Sequence, residues 1–454
     1  MFALLLVAVA ALADPRRDHP VAEHLFFRCK ALIDPVAGRI DGAVIETNGG
    51  RILRVAKDLP VPAGAKVVDF GGKYVIPGLV DSHGHLYFGG ITQYTGSSPL
   101  LGRFFLAAGV TSVVNPGSLD PGGDMAVRAR IDEGIRIGPR YFNAGEYLEM
   151  PPAPIPWMNP VSTVEEARLK VDRWAAQGAS AIKLYESMHG EVMQAAIDQA
   201  HLHGLKVLAH LEATSYRDAI AMGVDEIFHG AMQMADGRAT AQPLGDLAAW
   251  ARAVEQMDFD KPEVVEALRL AAQQKVVITP TLVVLQGAYF RPDRRAVDHM
   301  DEQRKYYSPQ AWAVLEKEFA EPRKEPVETE KAFRRELEFT ARAARAGCML
   351  GTGTDLVRPA ILPGFSLWRE MELFAEAGIA PMDILKAATI NGAYAIGKSD
   401  LIGSVAPGKL ADFVALDRDP LESIANVRSV VRVVKAGVVH DPVDVLRGLE
   451  GAIP

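Results

Sequence analysis

The chain predicts an α/β fold, a (β/α)8 TIM-like barrel carrying a small β-sandwich domain formed from N- and C-terminal segments. Three observations predict it. Eight apolar, strand-like runs alternate with amphipathic helical stretches from Pro77 onward. Short strands and glycine-rich turns precede that stretch, and similar strands return after it. Either β piece alone would leave unpaired edges, so the simplest solution pairs the two with each other. The predicted organisation is residues 24–76 with 401–443 as the composite β-sandwich and residues 77–400 as the barrel.

Phe2–Ala13 is an uninterrupted apolar run of 12 residues, short of the ~18 that mark a membrane span. It ends in Ala11-Leu12-Ala13, a small-residue cleavage pattern, before the polar Asp14-Pro15-Arg16-Arg17. Residues 1–13 therefore read as a signal peptide, although no Lys or Arg precedes the run. A periplasmic or secreted location follows, with the cytoplasm as the alternative. His24–Ile33 reads as one strand run and Ala43–Val55 as a hairpin turning at Asn48-Gly49-Gly50. Lys66–Phe70 and Tyr74–Ile76 complete the first β piece.

The predicted barrel strands are Leu79–Ser82, Val110–Asn115, Arg140–Ala144, Ala181–Tyr185, Lys206–His210, Glu226–His229, Val276–Val284 and Cys348–Thr354. Helical patterns fill the gaps. Leu100–Ala108 is the first, and Val164–Gln177 and Glu191–His203 stop at Gly178 and Gly204. The charged stretch 286–337, with Tyr289, Phe290, Tyr306 and Tyr307, follows the seventh strand and reads as a candidate lid. Ser366–Ala377 and Pro381–Ala395 are helical. Asp412–Asp417 and Val427–His440 are strand-like, with a turn at Lys435-Ala436-Gly437.

Apolar residues make up 49% and charged residues 23% of the 454, values that exclude a disordered chain. The net charge of −8 gives no general attraction to nucleic acid or anionic lipid. With no apolar run long enough to span a membrane, the expected partner is a small molecule, and a homo-oligomer is left open. Two cysteines, Cys29 and Cys348, cannot build a disulfide framework and read as buried free thiols.

The chemistry begins at Gly78-Leu79-Val80-Asp81-Ser82-His83-Gly84-His85. His83 and His85 are two apart at the end of a strand, so both imidazoles face one side. Alone, such a pair is weak. Its place at the C-terminal rim of a barrel strand strengthens it. Lys183 lies inside the apolar strand Ala181-Ile182-Lys183-Leu184-Tyr185, where an unpaired ammonium is costly. His210, His229 and Asp355 close strands five, six and eight. Gaps of 100, 27, 19 and 126 residues separate these positions after His83. They fit one ligand-type group on each of strands one, four, five, six and eight, which points to a metal centre.

These motifs, with Ala209-His210, Phe228-His229-Gly230, Gly353-Thr354-Asp355 and the exit segment Gly403–Val414, resemble the amidohydrolase superfamily of metal-dependent hydrolases. The resemblance covers about residues 24–443. It implies two divalent metal ions, zinc by analogy, with His83, His85 and Asp355 on the first and His210 and His229 on the second. It implies a CO2-derived carbamate on Lys183 that bridges them. Asp355 would act as general base and then general acid while a water shared by the ions attacks an amide carbonyl.

Phrases such as Ile182-Lys183-Leu184-Tyr185 and Val224–Gly230 are similar to the Xaa-Pro and C-terminal dipeptidase and imidazolonepropionase-like branch. That similarity implies cleavage of a dipeptide or N-acyl amino acid. The dipeptidases often carry a tyrosine two residues after the strand-five histidine, where it would hold a substrate carboxylate; here Glu212 stands in that place. A carboxylate there repels a carboxylate and favours an amine or a neutral group. Tyr147, Tyr185 and Arg358 are the other candidate substrate contacts. One alternative is a mononuclear deaminase or cyclic-amidine hydrolase, against which Lys183 counts. The other is a non-catalytic relative, against which the complete ligand set counts.

Overall fold

The computed structural model describes residues 23–86, 100–153, 158–234, 247–290, 303–320, 326–356 and 361–453. The signal-peptide segment 1–13 and Arg358 lie outside the described residues. The first β piece comprises β1 (Leu25–Arg28), β2 (Ala31–Asp34), β3 (Gly38–Asp41), β4 (Ala43–Asn48), β5 (Arg51–Lys57), β6 (Lys66–Asp69) and β7 (Tyr74–Pro77). The central strands are β8 (Leu79–Asp81), β9 (Val110–Asn115), β10 (Arg140–Asn143), β11 (Tyr147–Leu148), β12 (Ala181–Leu184), β13 (Lys206–Ala209), β14 (Glu226–Phe228), β15 (Val277–Thr279) and β16 (Met349–Leu350). β17 (Phe413–Leu416), β18 (Val430–Lys435) and β19 (Val438–His440) follow.

Strands from the two chain ends pair with each other. One mixed sheet runs β5-β4-β1-β6, and a second runs β19-β18-β17-β7-β2-β3, with C-terminal β17 antiparallel to N-terminal β7. Their facing residues form one apolar core. Phe27, Ile45 and Ile52 come from the first sheet, and Leu32, Val75, Phe413 and Val434 from the second. The run His24–Ile33 is therefore two strands, not one. The chain breaks at Cys29-Lys30, and β1 and β2 enter different sheets. The β4–β5 hairpin turns through positive φ at Gly49 and Gly50, which only glycine adopts without strain.

The central strands are all parallel and divide into β10-β9-β8 and β11-β12-β13-β14-β15-β16. No continuous closed ladder joins them among the described residues. Backbone bonds cross both gaps: Ser180 N donates to Asn143 O (2.7 Å) at one, and Ser82 N to Thr352 O (2.9 Å), Thr354 N to His83 O (3.1 Å) and Asp355 N to His83 O (2.6 Å) at the other. The seventh predicted strand is cut short. Pro280 has no N–H to donate, Thr281 turns left-handed at φ 49°, and Leu282–Val284 is helical. The eighth is regular only over Met349–Leu350.

The helices follow the periodicity closely. Val164–Ala176 opens on a Thr163–Glu166 capping box, and Gly190–Leu202 ends just before Gly204, at φ 68°. Pro381–Ala395 is interrupted by a π turn at Ala387–Asn391. Within the charged stretch, Tyr306 and Tyr307 are buried; Tyr306 packs edge-on to Phe104, and Tyr307 bridges to Ile453. These two aromatics are packing residues rather than parts of a lid. Both cysteines are free and buried, and burial pushes each thiol up to about 12. Among the described residues no helix is long and apolar enough to cross a membrane.

Candidate metal centre

The C-terminal ends of the parallel strands carry the predicted ligands. His83 Nε2 and His85 Nε2 each lie 3.4 Å from Asp355 Oδ1. The ligand atoms of these three residues fall within 4.8 Å of one another. The imidazoles continue the cluster: ring centroids are 5.0 Å apart for His83 and His229 and 4.5 Å for His210 and His229. Lys183 rises from β12 with its Nζ 4.2 Å above the Phe228 ring, which itself lies 4.2 Å from the His83 ring. Five sequence-distant ligand positions therefore meet on one buried face, and Lys183 meets them there.

Local backbone aims these groups. His229 and Asp355 both occupy the left-handed region, at φ 71° and 46°. That conformation costs of order 1–3 kcal/mol and persists where the surroundings over-determine it. Asp355 is held by its N–H donating to His83 O at 2.6 Å, and His229 by its N–H donating to Thr279 O at 3.0 Å. A Cβ on Gly353 would sit 2.7 Å from His83 Cβ, so only glycine lets the two strand ends approach. Asp81 ties them from below. Its buried carboxylate accepts from His83 N (3.2 Å), Thr354 N (3.1 Å) and Thr354 Oγ1 (2.6 Å).

Neighbouring hydrogen bonds fix which imidazole nitrogen faces the centre. His85 Nδ1 donates to Asn115 Oδ1 (2.8 Å), leaving Nε2 with a lone pair toward Asp355. Asn115 Nδ2 in turn donates to Asp124 (2.9 Å), which also accepts from the Tyr141 hydroxyl (2.6 Å). His229 Nδ1 shares a hydrogen bond with the Thr281 hydroxyl (2.8 Å), which orients the ring with Nε2 on the other side. His210 Nε2 accepts from Gln233 Nε2 (3.0 Å), a bond that an ion held by His210 through this nitrogen would displace.

The electrostatics suit a cation. Burial, then the neighbouring cationic groups, hold His83 and His210 well below the usual imidazole range. Burial brings His229 down to about 4 and Lys183 from 10.5 to about 7. Lys183 is 1% exposed, and its Nζ has no hydrogen-bond partner. Burial acts to raise Asp355, but His85, His229 and Lys183 outweigh it and hold the carboxylate below its usual value. Four imidazoles, one carboxylate and an amine whose charged form burial disfavours make a nitrogen and oxygen donor set, the kind that binds divalent ions of the zinc type. The orphaned Lys183 amine and His83 Nδ1, both buried, mark a place where the protein alone leaves polar atoms unsatisfied.

Tyr147, Tyr185 and Glu212 reach the same rim. The Tyr147 ring lies 4.8 Å from that of Tyr185, which lies 4.8 Å from His210. Glu212 groups with His210 and Glu186, their ligand atoms within 4.8 Å. Sequence reading missed Asp81, Asn115, Asp124, Glu149, Glu186, Gln233 and Thr281 as parts of the site. Asn115 and Glu186 carried a usable signal, being polar residues at or just beyond predicted strand ends. Glu186 is buried, and burial, then Glu212 and Glu149, push it up to about 8.

The chain is similar to several known proteins. An imidazolonepropionase of Streptomyces avermitilis is 32% identical over 107 residues, which is 23% of this chain and 26% of that protein. Matches of this kind span about a quarter of the curated relatives' length. An imidazolonepropionase of Deinococcus deserti is 23% identical over 452 aligned positions, covering 89% of this chain and 95% of that protein. A crystal structure of a Xaa-Pro dipeptidase with bound methionine superposes with a TM-score of 0.70 at 20% identity, over 92% of this chain and all of that one. At that identity the likeness is one of fold. The sequence model of the amidohydrolase family matches residues 74–439. That match spans most of the chain and the whole metal centre, so the chain belongs to the amidohydrolase family, hydrolases that act on carbon–nitrogen bonds.

Proposed function

We propose that the chain hydrolyses the amide bond of a dipeptide or an N-acyl amino acid, with His83, His85, Asp355, His210, His229 and Lys183 holding two zinc ions. The observation that carries the reading is Lys183, a buried lysine without a hydrogen-bond partner beside a cluster of buried imidazoles. Burial brings Lys183 down to about 7, so a large fraction of its amine is unprotonated at neutral pH and able to take up CO2 as a carbamate. The carbamate would replace a buried cation by an anion with two oxygens. When bound, the ions supply Lewis acidity that polarises a carbonyl and lowers the pKa of water.

The chain's own groups do the rest. Asp355, kept ionised below its usual range, takes a proton from the attacking water. It returns that proton to the leaving nitrogen as the carbon–nitrogen bond breaks. Asn115 and Thr281 keep the His85 and His229 rings oriented. Tyr147 and Tyr185 line the approach, and burial, then the Asp355, Asp124 and Glu186 carboxylates, keep the Tyr147 hydroxyl protonated.

We read the two parallel sheets as one barrel over residues 77–400 and the two mixed sheets as the composite sandwich of 24–76 and 401–443. Export directed by residues 1–13 belongs to the same proposal, and sequencing the mature N-terminus tests it. Similarity to imidazolonepropionase over most of the chain favours a second reading, hydrolysis of a cyclic carbon–nitrogen bond at one metal. A dipeptide and N-acyl amino acid library screened at fixed zinc, with metal analysis on the same sample, decides between them. The leading reading expects two ions per chain and turnover of library members. A fully loaded enzyme with one ion and no turnover refutes it.

A further inference from the structure

Three consecutive parallel strands each end on a glutamate. Glu149 follows β11, Glu186 follows β12 and Glu212 follows β13. Glu149 and Glu186 are buried, and Glu212 is half-buried. The backbone locks them together. Glu149 Oε1 accepts from Ser187 N (2.9 Å) and Met150 N (2.7 Å), while Glu212 N donates to Glu186 O (3.2 Å). One oxygen of each buried carboxylate, Glu149 Oε2 and Glu186 Oε1, has no hydrogen-bond partner. Glu186 Oε1 points at the metal centre, 3.6 Å from His210 Nε2.

Burying several carboxylates side by side is costly unless a cation joins them. An acceptor oxygen without a donor adds to that cost. A third metal ion there would need His210 Nε2, the nitrogen already required by the metal centre. A hydroxyl donor would fill one lone pair without balancing charge. An ammonium or guanidinium group supplies several donors and a positive charge at once. It would also place the group that carries it beside His210, where the scissile bond must lie.

Building on the amide-hydrolase reading above, we propose that Glu149, Glu186 and Glu212 form a cation-binding subsite that selects substrates with a positively charged group near the scissile bond. The charge comes either from a free α-amine or from a basic side chain.

The test uses the zinc-loaded full chain and matched substrates: a lysine dipeptide against its norleucine counterpart, and each free amine against its N-acetyl form. Binding of n-pentylamine and of 1-pentanol is measured separately by calorimetry. The cationic substrate should lead by at least about tenfold in kcat/KM, the worth of one charge-assisted hydrogen bond. Pentylammonium should bind better than pentanol by a similar factor. Glu186→Gln should collapse both ratios, and Glu149→Gln carries the same test should Glu186→Gln fail to fold. Preference that follows the α-amine, or the side chain, supports the subsite and identifies the source of the charge. Equal handling of charged and neutral members overturns it, as does a third metal ion that Glu186→Gln removes. A library left uncleaved by a chain that still binds pentylammonium selectively refutes amide hydrolysis and leaves the subsite standing.

Discussion

Replacing Asp81 by alanine is a sharp test of how the metal centre is held. The carboxylate is fully buried and joins the end of β8 to the residues after β16 through three accepted hydrogen bonds. In Asp81→Ala the His83 N–H loses its acceptor, while Thr354 N keeps a bond to His83 O (3.1 Å). Each bond to a charged acceptor is worth about 1.5–3 kcal/mol, so the gross loss is about 4–9 kcal/mol. Against this stands the burial penalty of the carboxylate. Burial raises its pKa from 3.8 to about 6 even though those three bonds act to lower it, so a desolvation cost of about 3 kcal/mol or more offsets part of the loss. The net expectation is a loss of about 1–6 kcal/mol, set against a typical 5–15 kcal/mol stability. Asp81→Asn keeps an acceptor oxygen and drops the charge, so it should lie within about 1–2 kcal/mol of the parent. Urea unfolding of the metal-free proteins at neutral pH measures both, and zinc content after reloading reports the spacing of His83 and Asp355. An Asp81→Ala protein that unfolds at the parental midpoint and binds full zinc would refute the reasoning.

Other outcomes follow from the same geometry. Lys183→Ala should lose bound metal and drop kcat/KM by at least about three orders of magnitude, roughly 4 kcal/mol; two ions and a full rate would sink the bridging role. Asn115→Ala removes the acceptor of His85 Nδ1 and should weaken zinc binding about 10–100-fold in a chelator competition. Unchanged affinity would show that the ring needs no such support. Glu226 is fully buried, and burial raises it from 4.5 to about 8. Its folded pKa exceeds its unfolded one, so its contribution is full below about pH 4.5 and is lost as pH rises through about 8. Metal-free Glu226→Gln should therefore gain on the parent by about 3–5 kcal/mol across that window. Parallel pH profiles of the two proteins would contradict this.

The reach of sequence reading had a physical boundary. Most strand positions and the five His and Asp residues that gather at the strand ends were legible because apolar periodicity fixes where a strand ends, and histidine or aspartate there is conspicuous. Lys183 was legible for the opposite reason, a charge inside an apolar run. Asp81 stood in the quoted motif, yet its role depends on Thr354, 273 residues away, and no local pattern encodes that. The same holds for Glu149, Glu186 and Glu212, which meet only because three strands lie side by side. His24–Ile33 reads as one strand because hydrophobicity does not show that Lys30 reaches the Tyr74 hydroxyl (2.6 Å) while β1 and β2 part to different sheets. At the seventh strand, Pro280 was visible, and the reading gave apolar continuity more weight than the missing N–H.

The pairing of β7 with β17 also has a bearing on how the protein is made. Strand β7 ends at Pro77 and β8 begins at Leu79, so the strand leading to His83 and His85 is a direct extension of the sheet that the chain's last segment completes. Gly78, the single residue between them, donates its N–H to Asp412 O at 2.9 Å. On the ribosome, the histidines emerge long before the strand that braces them. A chain stalled or clipped ahead of residue 412 would hold every proposed ligand, Asp355 included, yet the strand leading to His83 and His85 would hang from a β7 without its β17 partner. The final arrangement of those two histidines is therefore expected to wait for the chain's last segment.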